Sequence, residues 1–246
     1  MIKRVCINIA TYPKRRALLP RSIERLMPQA DVLRVVLNEF TEIPPEWSGL
    51  GPVDWIIPDQ DYKDVGKFVP ASRPDDIVIL CDDDIDYPTN YVEYLLAAHK
   101  ELDPLNPILG LHGIIYADFF DGDAGSRTDY TFNTELAAHM LVNQLGTGTV
   151  MLQGWQMPSL DFMMGSQRFV DLRFAIHAHR HRFPMIAVKR AQSWLPSITT
   201  NESLFSSFTR SWPADVTREA QEIAGFAKLD IVAQFQLSKL IAAPEA

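Results

Sequence analysis

Short apolar runs alternate with polar, proline-containing loops along the first half of the chain. Apolar runs bounded by turn residues are typical of buried strands. Such runs lie at residues 5–10, 32–38, 53–58 and 77–81. Residues 18–27 and 91–102 instead carry apolar side chains at helical spacing. Strands that alternate with helices predict an α/β domain with a mostly parallel sheet flanked by helices.

The second half of the chain is less regular, and it continues the mixture of strands and helices. The predicted elements are a strand interrupted by glycine at 108–116, a strand pair at 141–152, a helix at 170–183, a strand at 185–188 and one or two amphipathic helices within 213–243. The strand pair surrounds Gly146-Thr147-Gly148-Thr149, whose glycines let backbone amides approach a ligand closely. A plain hairpin turn is the alternative interpretation.

The apolar run at 77–81 stops at three consecutive carboxylates, Asp82, Asp83 and Asp84. Adjacent like charges are costly unless a cation lies beside them, and a hard divalent ion with oxygen ligands would relieve the repulsion. In extended geometry alternate side chains share a face, so Asp82 and Asp84 can address one ion while Asp83 points elsewhere. Ligands of such sheets bind beyond the carboxyl ends of the strands. The sequence therefore predicts a cation site here.

The alternative for this acidic run is a turn that caps the following helix, with Pro88 in its first turn. We assign Asp86 to that helix entry, outside the site. Arg15 and Lys67, upstream, are predicted either to bind phosphate oxygens and complement the acids, or to be solvated surface charges.

A second group of chemically active residues surrounds Asp171. This aspartate is either a helix cap or a general base toward a hydroxyl group. His177 and His181 have the i,i+4 spacing of a metal pair, but the interleaved Arg180 and Arg182 favour a solvated helix end. Three tryptophans are candidate stacking surfaces for a sugar, with packing in a core or lid as the alternative. They are Trp155, Trp194 and Trp212.

Composition narrows the classes of function and location. The chain has 246 residues, enough for one α/β domain, and a formal net charge of -8, which argues against a nucleic-acid partner. Cys6 and Cys81 lie within apolar runs and are predicted to be buried thiols, not a disulfide. No apolar run is long enough to span a bilayer, and the amino terminus lacks a signal-peptide pattern. We expect a cytoplasmic protein with at most peripheral membrane contact, including contact with the inner membrane face.

Seven segments together are similar to a known enzyme family. In chain order they are Asn8 to Arg15, Asp64 to Phe68, Asp82 to Pro88, His112-Gly113, Leu145 to Thr149, Asp171 to Ala175 and Val188 to Arg190. They resemble the motifs of GT-A-fold glycosyltransferases of the family-2-like, bacterial cell-surface polysaccharide type. The resemblance covers about residues 3–195. It implies a single GT-A (Rossmann-like) catalytic domain at 1–212, with a nucleotide-binding half at 1–103, an acceptor half at 104–212 and a helical extension at 213–246.

The same resemblance implies a metal-dependent transfer of a hexosyl or related sugar. The donor would be a nucleotide-diphosphate sugar, a UDP-sugar being favoured, and the acceptor a saccharide or a lipid-linked hydroxyl compound. Mn²⁺ or Mg²⁺ would bridge the diphosphate to the DxD-like acids.

The resemblance also assigns a role to each site residue. On the donor side, Thr11, Tyr12 and Arg15 would line the nucleotide pocket, and Asp64 and Lys67 would lie near the base or ribose. Asp82 and Asp83 would reach the ribose or the ion, and Asp84 with Asp82 would hold the metal. The residues that would contact substrate are His112, Gly146, Thr147 and Gly148, and Asp171 would be the base of an inverting reaction. Many members have a Glu-Asp pair where this chain has Val170-Asp171, so the base and the stereochemical outcome stay open.

Two other functions stay open. One is a non-catalytic protein that binds a nucleotide or sugar with the same fold. The other is a sugar nucleotidyltransferase, whose usual glycine-rich loop after the first strand is missing, since residues 11–16 contain no glycine. The oligomeric state is not predicted.

Overall fold

The computed structural model describes residues 3–117, 120, 126–198, 214–226 and 237–239. The strands are β1 (Val5–Thr11), β2 (Val32–Leu37), β3 (Val53–Ile56), β4 (Ile77–Cys81), β5 (Ile108–Gly110), β6 (Gly113–Tyr116), β7 (Arg127–Tyr130), β8 (Met140–Leu141), β9 (Gln144–Leu145), β10 (Thr149–Gln153) and β11 (Met185–Ala187). The α-helices are α1 (Leu19–Leu26), α2 (Tyr91–Leu102), α3 (Leu160–Met163), α4 (Val170–Arg180) and α5 (Ala214–Phe226).

Eight of these strands form one mixed sheet in the order β3-β2-β1-β4-β10-β5-β11-β8. The first four are parallel to one another, and so are β5 and β11. Strand β10 runs antiparallel between β4 and β5, and β8 is antiparallel at the edge. The predicted α/β class with a mostly parallel sheet is confirmed, and the arrangement is consistent with the GT-A, Rossmann-like fold. Strands β7, β6 and β9 form a second, antiparallel sheet.

The central strand β4 is apolar along its whole length because both faces of the sheet are covered. All five residues of β4 are buried. Ile77, Ile79 and Cys81 point into a core shared with α1 and α2, whereas Val78 and Leu80 point into a core shared with α4 and α5. This alternation follows from the two-residue repeat of a strand. A sheet held on both faces gives the residues at its ends a rigid base.

The strand predicted at 108–116 is two strands that belong to different sheets. Strand β5 lies in the main sheet, and β6 pairs with β7 and β9. Between them the N–H groups of Leu111 and His112 donate to Thr149 Oγ1 at 3.1 and 3.3 Å. These amides therefore bind a side chain instead of a neighbouring strand, and the ladder of β5 ends.

The predicted strand pair at 141–152 is also different in the structure. Strands β9 and β10 flank the Gly-Thr-Gly-Thr segment, but β9 pairs with β6 whereas β10 pairs with β4 and β5. The hairpin interpretation is therefore wrong. The segment is a connection between two sheets, and its Gly146 and Thr147 N–H groups donate to His112 and Asp171.

The alternative interpretation of the acidic run as a helix cap is wrong as well, and so is the helix-entry role assigned to Asp86. Helix α2 begins at Tyr91, and its preceding residue, Asn90, makes no side-chain cap. The Asp86 carboxylate instead accepts from the Arg21 guanidinium at 3.0 Å and lies 3.7 Å from that of Arg25. Asp86 therefore ties the end of β4 to α1, because two cations from α1 attract it more strongly than a distant helix end.

Helix α4 ends at Arg180, three residues before the predicted end, and Arg182 follows with a left-handed φ of 58°. The predicted helical tail is confirmed for α5, and most of the remaining tail lies outside the described residues. Cys6 and Cys81 are free and buried, as expected. In the ranges given above, no helix combines the length and the apolar character needed to span a bilayer.

Candidate active site

The candidate site lies where β1 and β4 end and β10 begins. In the register of the sheet, Ile9 lies beside Cys81, and Cys81 lies beside Thr149. Strand β10 is antiparallel to β4, so its amino-terminal end is at the same sheet edge as the carboxyl end of β4. The three acids after β4 and the Gly-Thr-Gly segment before β10 therefore meet, although more than 60 residues separate them in sequence.

Two of the three acids each form an ion pair with a basic side chain. Asp82 Oδ1 is 2.6 Å from Lys67 Nζ, and Asp84 Oδ2 is 3.0 Å from Arg15 Nη2. We call these the two counter-ion pairs. Burial raises the pKa of Asp84, and the nearby Asp82 carboxylate raises it further while Arg15 opposes both. The two basic residues are thus brought to the acids, as one of the two sequence-based alternatives expected.

The middle acid, Asp83, points away from its neighbours into the protein. It is buried, and its Oδ2 accepts from Thr11 Oγ1 at 2.6 Å. Burial raises the pKa of Asp83 to about 7, with Asp84 and Asp82 adding to the rise and the bond from Thr11 opposing it. The alternation predicted from extended geometry is therefore present. Asp83 joins the ends of β4 and β1 and does not face the other two carboxylates.

Lys67 lies at the centre of the polar contacts. It belongs to a 3-10 turn, Lys63–Phe68, whose position is fixed because Asn8 Nδ2 donates to the Lys67 carbonyl at 3.1 Å. Burial alone would lower the pKa of Lys67, but Asp82 and then Asp171 outweigh it, so the pKa is raised above its ordinary value. The ammonium also donates to Thr147 Oγ1 at 3.3 Å. A buried cation therefore lies between two separate carboxylates.

Thr147 connects this cation to Asp171. The backbone N–H and the hydroxyl of Thr147 both donate to Asp171 Oδ1, at 2.8 and 2.6 Å. Asp171 is the second residue of α4. The N-cap residue of this helix is Phe169, which makes no side-chain cap, so the helix-cap interpretation of Asp171 is wrong. A continuous series of polar contacts runs from Asp82 through Lys67 and Thr147 to Asp171.

Tyr87 is a site residue that the sequence did not reveal. Its hydroxyl accepts from the Asp82 N–H and donates to the Gly148 carbonyl, both at 2.8 Å. Glycine at 148 leaves room for the Asp82 carboxylate, because a Cβ there would lie 2.0 Å from Asp82 Oδ2 and one of the two would have to shift. In the sequence Tyr87 looks like an ordinary buried aromatic residue, and only the meeting of two distant segments gives its hydroxyl a role.

The Pro13–Arg15 turn places the remaining residues of the first loop. Tyr12 is half-buried, and its carbonyl accepts from the Arg15 N–H at 2.9 Å, which turns the chain so that the Arg15 guanidinium reaches Asp84. Arg15 is buried although its neighbours in the turn are exposed.

Asp64 and His112 flank the site. Both oxygens of Asp64 accept from the Arg168 N–H, at 2.9 and 3.0 Å, so this carboxylate holds the segment before α4. Burial raises the pKa of Asp64. The His112 carbonyl accepts from the Gly146 N–H at 2.9 Å, and burial lowers the pKa of His112 against the opposing attraction of Asp171.

The other sequence candidates lie elsewhere or are engaged elsewhere. One ring nitrogen of His177 and one of His181 contact backbone carbonyls, each at 2.9 Å, which agrees with the interpretation as a helix end. Trp155 follows β10, at the sheet edge opposite the acids, and packs on Phe183. Trp194 packs on aromatic side chains of α2. Trp212 lies outside the described residues.

The side chains that could coordinate a metal ion determine which kind of metal site can form. In the described ranges, no group of three or more His, Cys, Asp or Glu side chains is placed to hold an ion. Asp82 and Asp84 offer two half-exposed carboxylates at one strand end. Mg²⁺ and similar hard ions commonly use one or two carboxylates and complete their shell with water and substrate phosphates. The residues therefore fit a divalent ion shared with a phosphate ligand, and they do not form a closed protein cage.

The comparisons with known proteins differ between sequence and structure. No protein-family model matches the chain, and no curated protein matches its sequence. The chain is similar to the crystal structure of glucosyl-3-phosphoglycerate synthase from Mycobacterium tuberculosis in complex with Mn²⁺, uridine-diphosphate-glucose and phosphoglyceric acid. The identity is 10%, the likeness covers 91% of this chain and 80% of that chain, and the TM-score is 0.43.

Replacing Asp83 by asparagine should change how stability depends on pH. The folded-state pKa of Asp83, about 7, is above the ordinary value of 3.8. The stability that protonated Asp83 contributes to the folded state is therefore present at low pH and is lost as pH rises from about 4 to about 7. The asparagine amide would still accept from Thr11 without a charge. As pH rises through this range, we expect the free energy of unfolding of Asp83→Asn to increase relative to that of the parent by a few kcal/mol, about 4 at most. Urea unfolding of chelator-treated protein measures it.

The exposed Asp75 provides the control for loss of one negative charge, as Asp75→Asn. A difference between Asp83→Asn and the parent that stays constant from pH 4.5 to pH 8 would contradict the burial argument.

Adding a methyl group at Gly148 should disturb the Asp82–Lys67 pair. The new Cβ would occupy the position of the Asp82 carboxylate, so we expect Gly148→Ala to lower the free energy of unfolding by about 1–3 kcal/mol. Gly49→Ala is the matched control, since a Cβ there meets nothing within 4 Å. Thermal unfolding of the two variants makes the comparison, and equal melting temperatures would show that the loop yields without cost.

Proposed function

We propose that this chain is a metal-dependent glycosyltransferase that moves a sugar from a nucleotide-diphosphate donor to a hydroxyl acceptor. One observation carries the proposal. Asp82, one of two carboxylates suited to a shared divalent ion, is joined through Lys67 and Thr147 to a separate carboxylate, Asp171, at the same sheet edge. Glycosyl transfer needs these two functions side by side: stabilisation of a diphosphate leaving group and removal of a proton from the acceptor.

On the donor side, Arg15 and Lys67 supply positive charge for phosphate oxygens, and Asp82 and Asp84 would hold Mn²⁺ or Mg²⁺. A bound divalent ion stabilises the negative charge that develops on a diphosphate as the glycosidic bond breaks. Thr11 ends β1, and Tyr12 directly precedes the turn that carries Arg15, which supports their proposed place beside the nucleotide pocket. Asp64 would act there by holding the Arg168 segment. A UDP-sugar is the donor to test first.

On the acceptor side, Asp171 is the proposed base. Thr147 engages Oδ1 through two hydrogen bonds. In the part of the chain that the structure describes, no hydrogen bond to Oδ2 accompanies them, so Oδ2 is the oxygen left to take the proton of an acceptor hydroxyl. His112, Gly146 and Gly148 are the residues proposed to contact substrate. The proposed reaction is a single displacement with inversion and without a covalent intermediate.

Several finer statements stay predictions. The sequence resemblance supports the saccharide or lipid-linked acceptor, the bacterial cell-surface polysaccharide type, and the division into a nucleotide-binding half at 1–103 and an acceptor half at 104–212. Composition supports a cytoplasmic position at or near the inner membrane face. A non-catalytic nucleotide-binding protein is the alternative function. It predicts metal-dependent UDP binding without donor turnover, whereas the enzyme releases UDP.

Removing the metal-binding carboxylate and removing the proposed base should both impair turnover, but with different effects on UDP binding. With UDP-glucose and Mn²⁺, and UDP release as the measurement, we expect Asp84→Ala to lose both UDP binding and turnover. Asp171→Asn should keep UDP binding and lose turnover by about 10²–10⁴-fold, the usual contribution of a general base. Asp161→Asn, at an exposed position, is the control. Unchanged turnover in Asp84→Ala would refute the proposal, as would a parent that binds UDP but never releases it from a donor.

Thr147 should act as a positioning residue for Asp171. Thr147→Val keeps the backbone bond and the shape but removes the hydroxyl, whereas Thr147→Ser keeps the hydroxyl. We expect Thr147→Val to lower kcat up to about 10²-fold with the donor KM nearly unchanged, since the base loses orientation, and Thr147→Ser to restore most of it. A parallel loss in both variants, or a change confined to KM, would assign Thr147 to substrate binding instead.

A further inference from the structure

We propose that Lys67 and Arg15 are built-in counter-ions that change partners on ligand binding, so that the divalent ion and the nucleotide diphosphate bind cooperatively. The inference rests on the proposed function, because it concerns the same carboxylates and the same donor. It adds that the divalent ion or the nucleotide diphosphate alone meets a site whose charges are already paired. Binding of either ligand releases the groups that bind the other.

The two counter-ion pairs are asymmetric in their exposure. The side chains of Lys67 and Arg15 are 4% and 8% exposed, whereas those of Asp82 and Asp84 are 43% and 32% exposed. The cations are therefore fixed inside the protein, and the carboxylates form the accessible side of each pair. An incoming cation reaches the carboxylates first, and an incoming anion reaches the basic groups only after the carboxylates have turned away.

Charge balance gives the coupling its sign. Without ligand, two basic and two acidic groups neutralise one another, so a divalent ion has to compete with Lys67 and Arg15 for Asp82 and Asp84. A diphosphate offers both basic groups new oxygen partners, and Arg and Lys bind phosphate oxygens strongly. The carboxylates are then released to the ion. Each ligand therefore removes the competitor of the other, which is positive coupling.

Lys67 also has a second partner within its present reach. Its ammonium already donates to Thr147 Oγ1 at 3.3 Å, and Thr147 holds Asp171. When Asp82 turns to an ion, the ammonium keeps a polar contact and remains near a second carboxylate. A buried cation that lost its only partner would carry a large desolvation cost, so this second contact is what makes the exchange feasible.

The test measures binding and does not depend on turnover. Mn²⁺ is titrated into the protein with and without UDP, and the free ion is followed by electron paramagnetic resonance. In the parent we expect weak binding of Mn²⁺ alone and a gain of about 5- to 150-fold in Mn²⁺ affinity with UDP, the usual range of coupling between sites. UDP affinity measured by calorimetry should rise by the same factor with Mn²⁺.

Lys67→Met keeps the length of the side chain and removes the competing charge. We expect it to bind Mn²⁺ alone about tenfold more tightly than the parent, and to show much smaller coupling with UDP. Arg15→Met removes the second competitor and should change both quantities in the same direction, which keeps the test decisive if Lys67→Met does not fold. Lys100→Met, at an exposed position of α2, is the matched control and should equal the parent.

The outcomes separate this inference from the proposed function. If the parent binds Mn²⁺ and UDP, but the folded Lys67→Met and Arg15→Met variants bind Mn²⁺ no more tightly and keep the full coupling, the counter-ion exchange is overturned and the proposed function stands. If the parent binds neither probe in any combination, both fail. Tighter Mn²⁺ binding in the variants with reduced coupling supports the exchange, even where no donor is turned over.

Discussion

The buried ammonium of Lys67 is the charge around which the candidate site is arranged. A cation removed from water needs partners of opposite charge or good hydrogen-bond acceptors. The chain supplies Asp82 from the end of β4 and Thr147 from the connection before β10, and it supplies the attraction of Asp171 from the start of α4. Three segments that are distant in sequence are held together at this point.

The antiparallel position of β10 in an otherwise mostly parallel sheet makes this convergence possible. Strand β10 lies between β4 and β5, and its amino-terminal end is therefore beside the carboxyl end of β4. Gly148 can approach Asp82 closely because it has no side chain, and Tyr87 bonds to both segments. A parallel strand in this place would bring its carboxyl end to the acids, and Thr147 would lie at the opposite edge.

The site also contains groups held in unfavourable states. Asp83 is buried beside two other carboxylates, where the Thr11 hydroxyl donates to it, and its raised pKa reflects that burial. Functional sites commonly retain such costs when the surrounding fold is stable enough to bear them. Here two apolar clusters on opposite faces of the sheet support the strand ends that carry the acids. The strand ends that carry the polar groups are therefore fixed before any ligand arrives.

The sequence by itself determined the local features of this protein. The apolar run of β4, with the acids that end it, and the helical spacing at residues 91–102 are patterns of neighbours within a few positions. Tertiary structure decided the partners. The division of 108–116 between two sheets, the ion pairs of Asp86 with α1 and the bonds from Thr147 to Asp171 join residues through strand order and register. Strand order is set by the packing of the whole chain, so no local pattern could predict those contacts.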